Sequence, residues 1–426
     1  MKDLGRNLLK YRRHFHSNPE LGWMEYTSAV YISKELESFG FSVSRGSEFM
    51  DMSFAMGLPS KEVNNVAFDR ALNVFSYKEL LPFKDNKTAV LASFDGGYQR
   101  TIAFRFDMDA LPIVESIENS HLPFVDGFVS SNIGVMHACG HDVHMAIGLG
   151  FARLIALNRE MLKSNILLIF QPAEEGVRGA NVIINSGVLN GVDYILSSHV
   201  WSNMPLGKIV CSQNGTSSTH KFDVEFHGKS SHAGISPEKG NNALLAASIA
   251  TVNLHSLVCE FNNVVRVNVG RIEGGTARNI VADYAKLEIE FRSQFKDVES
   301  RLVERAQEII KEAAEGQSCS FKLVKQGESF GVEGSRELAS VIRESAIEDD
   351  YFSDIVLEDE ENRGCEDFTS MMGFVQENGG EACFIGLGAS IIDKDFLHHS
   401  PDFDVDESIM LPTVNLLFRL LQKISR

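Results

Sequence analysis

Apolar and polar residues follow two different periods along the first part of the chain. Helical spacing and continuous apolar runs predict helices at 2–15, 26–39 and 144–157 and strands at 101–106, 165–170 and 193–197. Short uninterrupted apolar runs are typical of strands buried on both faces of a parallel sheet. Because strands and helices alternate, we predict a mostly parallel sheet with helices on both faces. Its functional residues are expected near the carboxyl ends of the strands.

The pattern changes near residue 215, where polar and apolar residues begin to alternate one by one. The elements predicted beyond that point are strands at 221–226, 264–272 and 285–291 and helices at 241–257 and 298–314. This pattern predicts an antiparallel sheet with helices on one face. From about residue 330 the first pattern returns, with a further strand at 382–386. The predicted fold class is therefore α/β with two domains: 1–214 and 330–426 form one domain, and an α+β domain is inserted at 215–329.

The charge and the cysteine content narrow the classes of function. Among 426 residues, 40 are Lys or Arg and 58 are Asp or Glu, which gives a net charge of −18. So acidic a chain argues against a nucleic-acid partner or an anionic membrane surface, and any anionic substrate must be held by local cations. The six cysteines form no CxxC pair, and no apolar run reaches the ~20 residues that span a bilayer. We expect a cytoplasmic protein with reduced thiols and no nucleic-acid or membrane partner.

Residues suited to bind a metal ion occur at four points, each close to the end of a predicted strand or the start of a helix. They are Cys139 with His141, Glu174 with Glu175, His199, and His398 with His399. Singly, each also fits a structural role, such as a small buried thiol, a solvated turn or a hydrogen-bonded imidazole. A buried carboxylate pair is costly unless it binds a cation, and thiolate, imidazole and carboxylate together suit a transition metal. The four points together therefore predict a metal site at the edge of the sheet.

The motifs around these residues resemble a known family, the aminoacylase/carboxypeptidase clan of two-metal amidohydrolases. Within it they are similar to the branch that contains hippurate hydrolase and the indole-3-acetyl-amino-acid hydrolases. The matching segments are FRFDMDALPI, MHACGHDVHMA, IFQPAEEG, HGKSSHAGISPE and GCEDF. AMGLPSKE, FVDGFVSSNIG and VVRVNVGRIEGGTARNIV, with the extended segment that precedes FRFDMDALPI, resemble the p-aminobenzoyl-glutamate hydrolases of that branch. The resemblance covers nearly the whole chain.

The resemblance implies a two-metal site in a zinc-peptidase-like catalytic domain. The implied ligands are Cys139, His141, Glu175, His199 and one of the pair His398 and His399. His399 is preferred, because the family has an aromatic residue four positions after this ligand and Phe403 stands there. Two divalent ions per chain are implied, Mn or Zn first, with Co and Ni as further candidates.

Other residues take their expected roles from the same resemblance. Glu174 matches the general base, and Asp109 matches the acid that orients the metal cluster. His232 matches a histidine that reaches the active site of a partner subunit. The inserted domain is therefore expected to act as a lid and dimerisation domain, in a homodimer or in a heterodimer with a related subunit. Asn279 and Arg292 match the region that binds the substrate carboxylate.

The expected activity is metal-dependent hydrolysis of the amide bond of an N-acyl or N-aroyl amino acid, a small anionic substrate such as p-aminobenzoyl-glutamate. The alternatives within this class are an amidohydrolase of the hippurate or indole-3-acetyl-amino-acid type and a dipeptidase. Two further hypotheses are a cysteine hydrolase with Cys139 as nucleophile and His141 as base, and a non-catalytic binding or regulatory subunit of the same fold. Residues two apart on a glycine rarely reach nucleophile–base geometry, and the presence of Glu174 argues against a non-catalytic subunit.

Overall fold

The computed structural model describes residues 2–261, 265–293, 296–361, 364–392 and 396–425. Its α-helices are α1 (Lys2–Ser17), α2 (Tyr26–Ser38), α3 (Lys61–Ala71), α4 (Tyr77–Leu80), α5 (Leu122–Val125), α6 (His141–Leu157), α7 (Ala180–Asn185), α8 (Ala243–Glu260), α9 (Lys296–Gly316), α10 (Arg336–Ile347), α11 (Phe368–Glu377) and α12 (Met410–Ile424). Its strands are β1 (Ser42–Arg45), β2 (Val90–Phe94), β3 (Thr101–Asp107), β4 (Asn165–Gln171), β5 (Tyr194–Trp201), β6 (Lys208–Gln213), β7 (Ser218–His227), β8 (Val265–Gly274), β9 (Tyr284–Ser293), β10 (Ser320–Ser329), β11 (Asp354–Asp359) and β12 (Glu381–Gly388).

The chain divides into two compact units. The first comprises Met1–Asn214, Val332–Glu361 and Asp367–Arg426, and the second comprises Gly215–Gly331 and Asn362–Glu366. Residues 364–366, which the sequence places in the first domain, group with the second unit. A main-chain hydrogen bond between residues remote in sequence contributes to this grouping, in which Ser217 N–H donates to Gly364 O at 3.0 Å.

The first unit is built on an eight-stranded sheet with the order β1-β2-β4-β3-β5-β12-β6-β11. The central strands β4, β3, β5 and β12 are mutually parallel, and so are β6 and β11. Strands β1 and β2 join one edge antiparallel, and β12 meets β6 in a short antiparallel pair. The predicted α/β class with a mostly parallel sheet is confirmed.

Helices cover both faces of this sheet because alternate side chains of each strand point to opposite sides. Phe104 and Phe106 of β3 lie in a core with α1, α6 and α12, whereas Ala103 lies in a second core with α7 and α11. Leu168 and Ile169 of β4 divide between the two cores in the same way. Burying one such large apolar side chain contributes about 2–3 kcal/mol to the free energy of unfolding. The alternation of side chains therefore fixes which face of each strand packs against which core.

The second unit is a four-stranded antiparallel sheet with the order β10-β7-β9-β8. Its core forms between the sheet, α8 and α9, and the alanines Ala243, Ala246, Ala247 and Ala250 make up most of the buried face of α8. This is the α+β arrangement predicted for the inserted stretch. One described helix, α8, with 18 residues, is long and apolar enough by composition to cross a membrane. Its alanine face packs on the sheet.

Two observed boundaries differ from the predicted ones near the candidate ligands. The strand predicted to end at residue 197 continues as β5 to Trp201, which pairs with Gly388 of β12, so His199 lies within the strand. The helix predicted from residue 144 begins at His141. Strands β1, β2, β6 and β11 have no clear pattern in the sequence. Residue 264, where a strand was expected to begin, lies outside the described residues, and β8 begins at Val265.

Candidate metal centre

Cys139 and His141 flank a glycine at the start of α6. Gly140 has a φ of +90°, and a Cβ at this position would lie 2.5 Å from Val200 Cγ2. A residue with a side chain would therefore be strained and would collide with β5. His141 is buried, and its Nδ1 donates to the main-chain O of Asp109 at 2.8 Å, which leaves Nε2 for a different partner.

The turn after β4 carries Glu174 and Glu175 and is held through its backbone by Asp109. Oδ1 of Asp109 accepts the N–H of Glu174 and Oδ2 accepts the N–H of Glu175, each at 3.0 Å. The preceding Ala173 has a φ of +53°, which is rare for a residue with a side chain, and its N–H donates to Glu25 at 2.9 Å. Asp109 therefore orients both glutamates, and Glu25 fixes the strained entry to the turn.

The structure brings five of the predicted ligands into two overlapping groups. The ligand atoms of Cys139, His141 and His199 lie within 4.8 Å of one another, and so do those of Cys139, Glu175 and His399. In the first group, Cys139 Sγ lies 3.5 Å from His199 Nε2. In the second, His399 Nε2 lies 3.4 Å from Glu175 Oε1. Cys139 belongs to both groups, which is the position that a ligand bridging two ions would occupy.

Glu174 lies beside these groups. Its Oε2 is 3.9 Å from His141 Nε2, and a third set of mutually close ligand atoms consists of His141, Glu174 and Glu175. Glu174 is nearly buried, with 7% of the residue exposed. A nearly buried carboxylate beside ligand atoms is a suitable position for a group that exchanges protons with water or substrate.

The neighbouring histidines 398 and 399 differ in their contacts. His398 Nε2 accepts the N–H of Ser202 at 3.2 Å, and its Nδ1 lies 3.7 Å from Cys139 Sγ. Burial, with the nearby His399, lowers the pKa of His398 to about 3. The adjacent Cys139 and Glu175 side chains raise the pKa of His399 to about 10. A proton on His399 thus places positive charge between a thiol and a carboxylate, as a metal cation would.

The donor set fits one or more transition metal ions. Among the described residues, buried His141 Nε2 and Glu175 Oε1 have no hydrogen-bond partner, and the 3.4 Å contact of His399 with Glu175 is an ion-pair distance without hydrogen-bond alignment. Unsatisfied buried polar atoms are rare in folded proteins, and a metal ion would satisfy both. Burial and the Glu175 carboxylate raise the pKa of the Cys139 thiol, so a cation is needed to hold it as thiolate.

Besides Asp109, the ligands are supported by residues to which the sequence analysis gave no role. His144 Nδ1 donates to Asp107 Oδ1 at 2.6 Å, and its Nε2 accepts the N–H of Val200 at 3.0 Å. Arg105 donates to Asp107 at 2.6 Å and to Asp367 at 3.1 Å. His144, one helical turn into α6, was visible in the sequence beside the candidate ligands. The sequence alone does not distinguish a histidine that supports a metal ligand from one that only packs in the core.

Two of the three predicted residues in the second unit lie side by side. A bridge between His232 and Ile280 places His232 next to Asn279, and both side chains are exposed. Arg292 lies eight residues after the first residue of β9, which is about 27 Å along a strand. Its Nη2 donates to Glu290 at 3.0 Å. Within this unit, the structure brings His232 and Asn279 together and leaves Arg292 apart from them.

Comparisons with known proteins show which family the chain resembles over most of its length. Residues 103–423 match the model of Peptidase family M20/M25/M40. The chain is 36% identical over 421 residues to a subunit of p-aminobenzoyl-glutamate hydrolase from Escherichia coli (strain K12), and the match covers 98% of this chain and 96% of that protein. It is also 36% identical over 419 residues to the indole-3-acetyl-aspartic acid hydrolase of Enterobacter agglomerans, with 98% and 95% covered.

A solved structure shares the fold. It is a dinuclear metal binding peptidase of the M20 family from Bacillus subtilis, with a TM-score of 0.68 and 25% identity, and the match covers 100% of this chain and 99% of that one. The family model and both relatives cover most of the chain. The chain therefore belongs to peptidase family M20/M25/M40, a family of hydrolases that act on amide C–N bonds, as the sequence predicted.

Proposed function

We propose that the protein is a metal-dependent amidohydrolase that cleaves an N-acyl or N-aroyl amino acid, with p-aminobenzoyl-glutamate as the first candidate substrate. The two relatives are named for substrates in which an acyl group that carries an aromatic ring is joined to an acidic amino acid. The observation that carries the proposal is the position of Cys139, whose sulfur belongs to two groups of ligand atoms. A site for a single ion needs no shared ligand. A hydrolase of the indole-3-acetyl-amino-acid type is the alternative, supported by the second relative.

Cys139, whose sulfur belongs to both groups of ligand atoms, is assigned as a ligand of the divalent ions that this site would hold. His141 and His199 complete the first group of ligands. Glu175 and His399 complete the second. When bound, such ions polarise an amide carbonyl and lower the pKa of a water molecule. Mn and Zn are the first candidates and Co and Ni the further ones, since a thiolate with imidazoles suits each of them.

Glu174 is assigned as the general base. Because its backbone is fixed by Asp109 and its Oε2 lies 3.9 Å from His141, the carboxylate stays beside the ligand groups. It takes the proton of the attacking water and then donates it to the nitrogen of the leaving amino acid. Asp109 is assigned as a positioning residue, because its carboxylate accepts the main-chain N–H groups of Glu174 and Glu175.

The second unit is assigned to assembly and substrate recognition. His232 is assigned to the active site of a partner chain, where its exposed ring would donate to the oxyanion of the reaction. Asn279 and Arg292, which lie apart within the unit, are both assigned to the region that binds the substrate carboxylate, and Arg292 is the local cation that a chain of net charge −18 requires there. The partner is a second copy or a related chain, and the Escherichia coli relative, which is named as one subunit of an enzyme, supports an assembly. A cytoplasmic location belongs to the same proposal, because scattered unpaired thiols suit a reducing compartment.

A hydrolysis screen tests this activity. Benzoyl-, p-aminobenzoyl-, indole-3-acetyl- and fatty-acyl-amino acids are incubated with protein reconstituted with Mn or Zn, and the free amino acid released is measured. We expect hydrolysis of p-aminobenzoyl-glutamate or a related aroyl amino acid, loss of activity on chelation, and recovery when metal is added back. Activity that survives chelation and disappears on thiol alkylation would instead support the cysteine hydrolase. No turnover of any substrate by metal-loaded protein would support a non-catalytic role.

A further inference from the structure

A cavity of about 400 Å³ adjoins the metal centre, and all the residues that line it belong to the first unit. Glu175 and Gly176 form the side next to the ligand groups, and Leu111 and Pro112 form a second side. The volume lies within the ~300–1,000 Å³ typical of small-molecule sites. A substrate whose amide lies at Glu174 and Glu175 therefore has space beside it for one of its two halves.

The third side of the cavity comes from the extended segment between α2 and β2. It contributes Pro59 and Val63, the latter from the first turn of α3. This segment is held in place, because Trp23 Nε1 donates to Met56 O at 2.8 Å and Arg178 Nη1 donates to Gly57 O at 3.0 Å. The wall is therefore already formed before any ligand binds.

Arg178 gives the cavity a flat cationic surface among apolar ones. Its Nε donates to Glu175 O at 2.7 Å, and a Cβ built at Gly22 would collide with its Nη2, so the guanidinium lies against the bare backbone of Gly22. Most of the other lining side chains are apolar, among them Leu21 and Met24. Apolar walls with a planar guanidinium suit an aromatic ring, which gains from burial and from contact with the cation.

We propose that this cavity binds the aromatic acyl group of the substrate and that Val63 and Pro59 select for it. The inference rests on the proposed function, since it requires the scissile amide to lie beside Glu174. The amino-acid half of such a substrate is an anion and would meet the Glu175 carboxylate on the cavity wall. Arg178 already donates hydrogen bonds to two main-chain carbonyls, which leaves fewer N–H groups for a carboxylate. Its planar guanidinium is therefore better suited to stack on a neutral aromatic ring.

Val63→Asp tests the cavity, and Val66→Asp is the matched control. Both valines lie on the exposed part of α3, with 51% and 71% of the residue accessible, but only Val63 lines the cavity. We expect Val63→Asp to lower kcat/KM for benzoyl-glutamate and p-aminobenzoyl-glutamate by tenfold or more. The value for acetyl-glutamate should stay within about twofold, because its acyl group does not reach the wall. If acetyl-glutamate turns over too slowly, its inhibition constant provides the same comparison. Val66→Asp should leave kcat/KM unchanged for both the aroyl-glutamates and acetyl-glutamate.

Three results would overturn the inference. The first is that Val63→Asp lowers kcat/KM equally for acetyl-glutamate and benzoyl-glutamate, and the second is that it lowers kcat/KM for neither. The third is that the loss of kcat/KM differs between benzoyl-glycine and benzoyl-glutamate, which share the acyl group and differ in the amino acid. Metal content measured in each variant shows that the metal centre is intact. Failure of the proposed function would give a different result from failure of this inference, because metal-loaded wild-type protein would then hydrolyse none of these compounds. The cavity is then tested by calorimetric binding of benzoyl-glutamate, which Val63→Asp must weaken and Val66→Asp must not.

Discussion

Glu174 and Glu175 are adjacent in the chain, yet they are assigned to different chemical roles. Asp109 accepts the main-chain N–H groups of both, so the turn is fixed through its backbone rather than through either carboxylate. Substituting one of these side chains is therefore expected to preserve the local fold. This makes the pair a direct comparison between a proton carrier and a metal ligand.

Glu174→Gln is expected to lower kcat by ~10²–10⁴-fold, the usual range for loss of a general base, while the metal content stays unchanged. Glu175→Gln is the matched control, because it removes a proposed ligand and should lower the metal content first. Steady-state kinetics with elemental analysis of both variants measures the difference. A Glu174→Gln protein that keeps more than about a tenth of the wild-type kcat would contradict the assignment.

At the scale of single residues, the sequence predicted the candidate ligands and the candidate base but missed much of the hydrogen bonding that supports them. The proposed ligands lie in motifs whose spacing is visible along the chain. Asp107 of β3, by contrast, meets His144 because β3 and α6 come together in three dimensions, and Arg105 of β3 meets Asp367, just before α11, in the same way. Which buried polar groups pair is decided by tertiary contacts, and these have no local pattern. Arg178 escaped notice for the same reason.

Among the elements, α1 and α6 are joined by a buried ionic network. Arg12 donates to Asp142 at 3.0 Å, and His16 contacts Asp142 and Glu115, each at 2.8 Å. Burial alone would lower the pKa of His16, but hydrogen bonds to the two carboxylates outweigh it and raise the pKa to about 9. Since Asp142 follows His141, this network also fixes the first turn of the helix that carries a proposed ligand.

His16→Gln is expected to lower the free energy of unfolding by about 3 kcal/mol near pH 6, because it leaves buried carboxylates with less compensating positive charge. The folded pKa of about 9 exceeds the unfolded value of ~6.5, so the contribution is full below about pH 6.5 and is lost as the pH rises through about 9. The difference from wild type should therefore shrink between pH 7 and pH 10, as measured by urea unfolding. His14→Gln on the same helix is the control, since burial lowers the pKa of His14 and no alkaline loss is expected. A difference that stays constant to pH 10 would show that His16 is neutral in the folded protein.

The elements also differ in how far they could be predicted. Long helices and core strands were found because their apolar period repeats over several turns or residues. The region 48–87 has the least readable pattern in the sequence, and in the structure it forms α3, the four-residue α4 and short 3₁₀ helices. Its position depends on side chains remote in sequence, such as Trp23 and Arg178, that donate to its main-chain carbonyls. No periodicity within the segment could indicate those contacts.

At the scale of the whole molecule, the proposed reaction draws on both units. The five assigned ligands belong to the first unit, whereas His232 belongs to the second and is exposed. Helix α8 of the second unit also exposes Leu244, Leu245 and Val252, which are apolar side chains that a second chain could cover. These observations support an assembly in which one chain completes the active site of another.

Complementation between two inactive chains tests that assembly. A His232→Ala chain is mixed with a Glu174→Gln chain, and activity is measured once mixed dimers are confirmed by mass. If His232 acts in the partner's site, each mixed dimer holds one intact site and recovers about half of the wild-type activity. A mixture of Glu174→Gln with Glu175→Gln is the control, since every site then carries a defect. No recovery in the first mixture would mean that each chain uses its own His232.

The central claim, a two-metal site organised around Cys139, is tested most directly by counting metal ions. Untagged wild-type and Cys139→Ala proteins are loaded with Mn or Zn, dialysed together and subjected to elemental analysis, with Cys365→Ala as a control for loss of a thiol elsewhere. We expect about two equivalents of metal per chain for the wild type and for Cys365→Ala, and a clear loss of both metal and activity for Cys139→Ala. A wild-type protein that hydrolyses its substrate without bound metal, or a Cys139→Ala protein that is fully loaded and active, would contradict it.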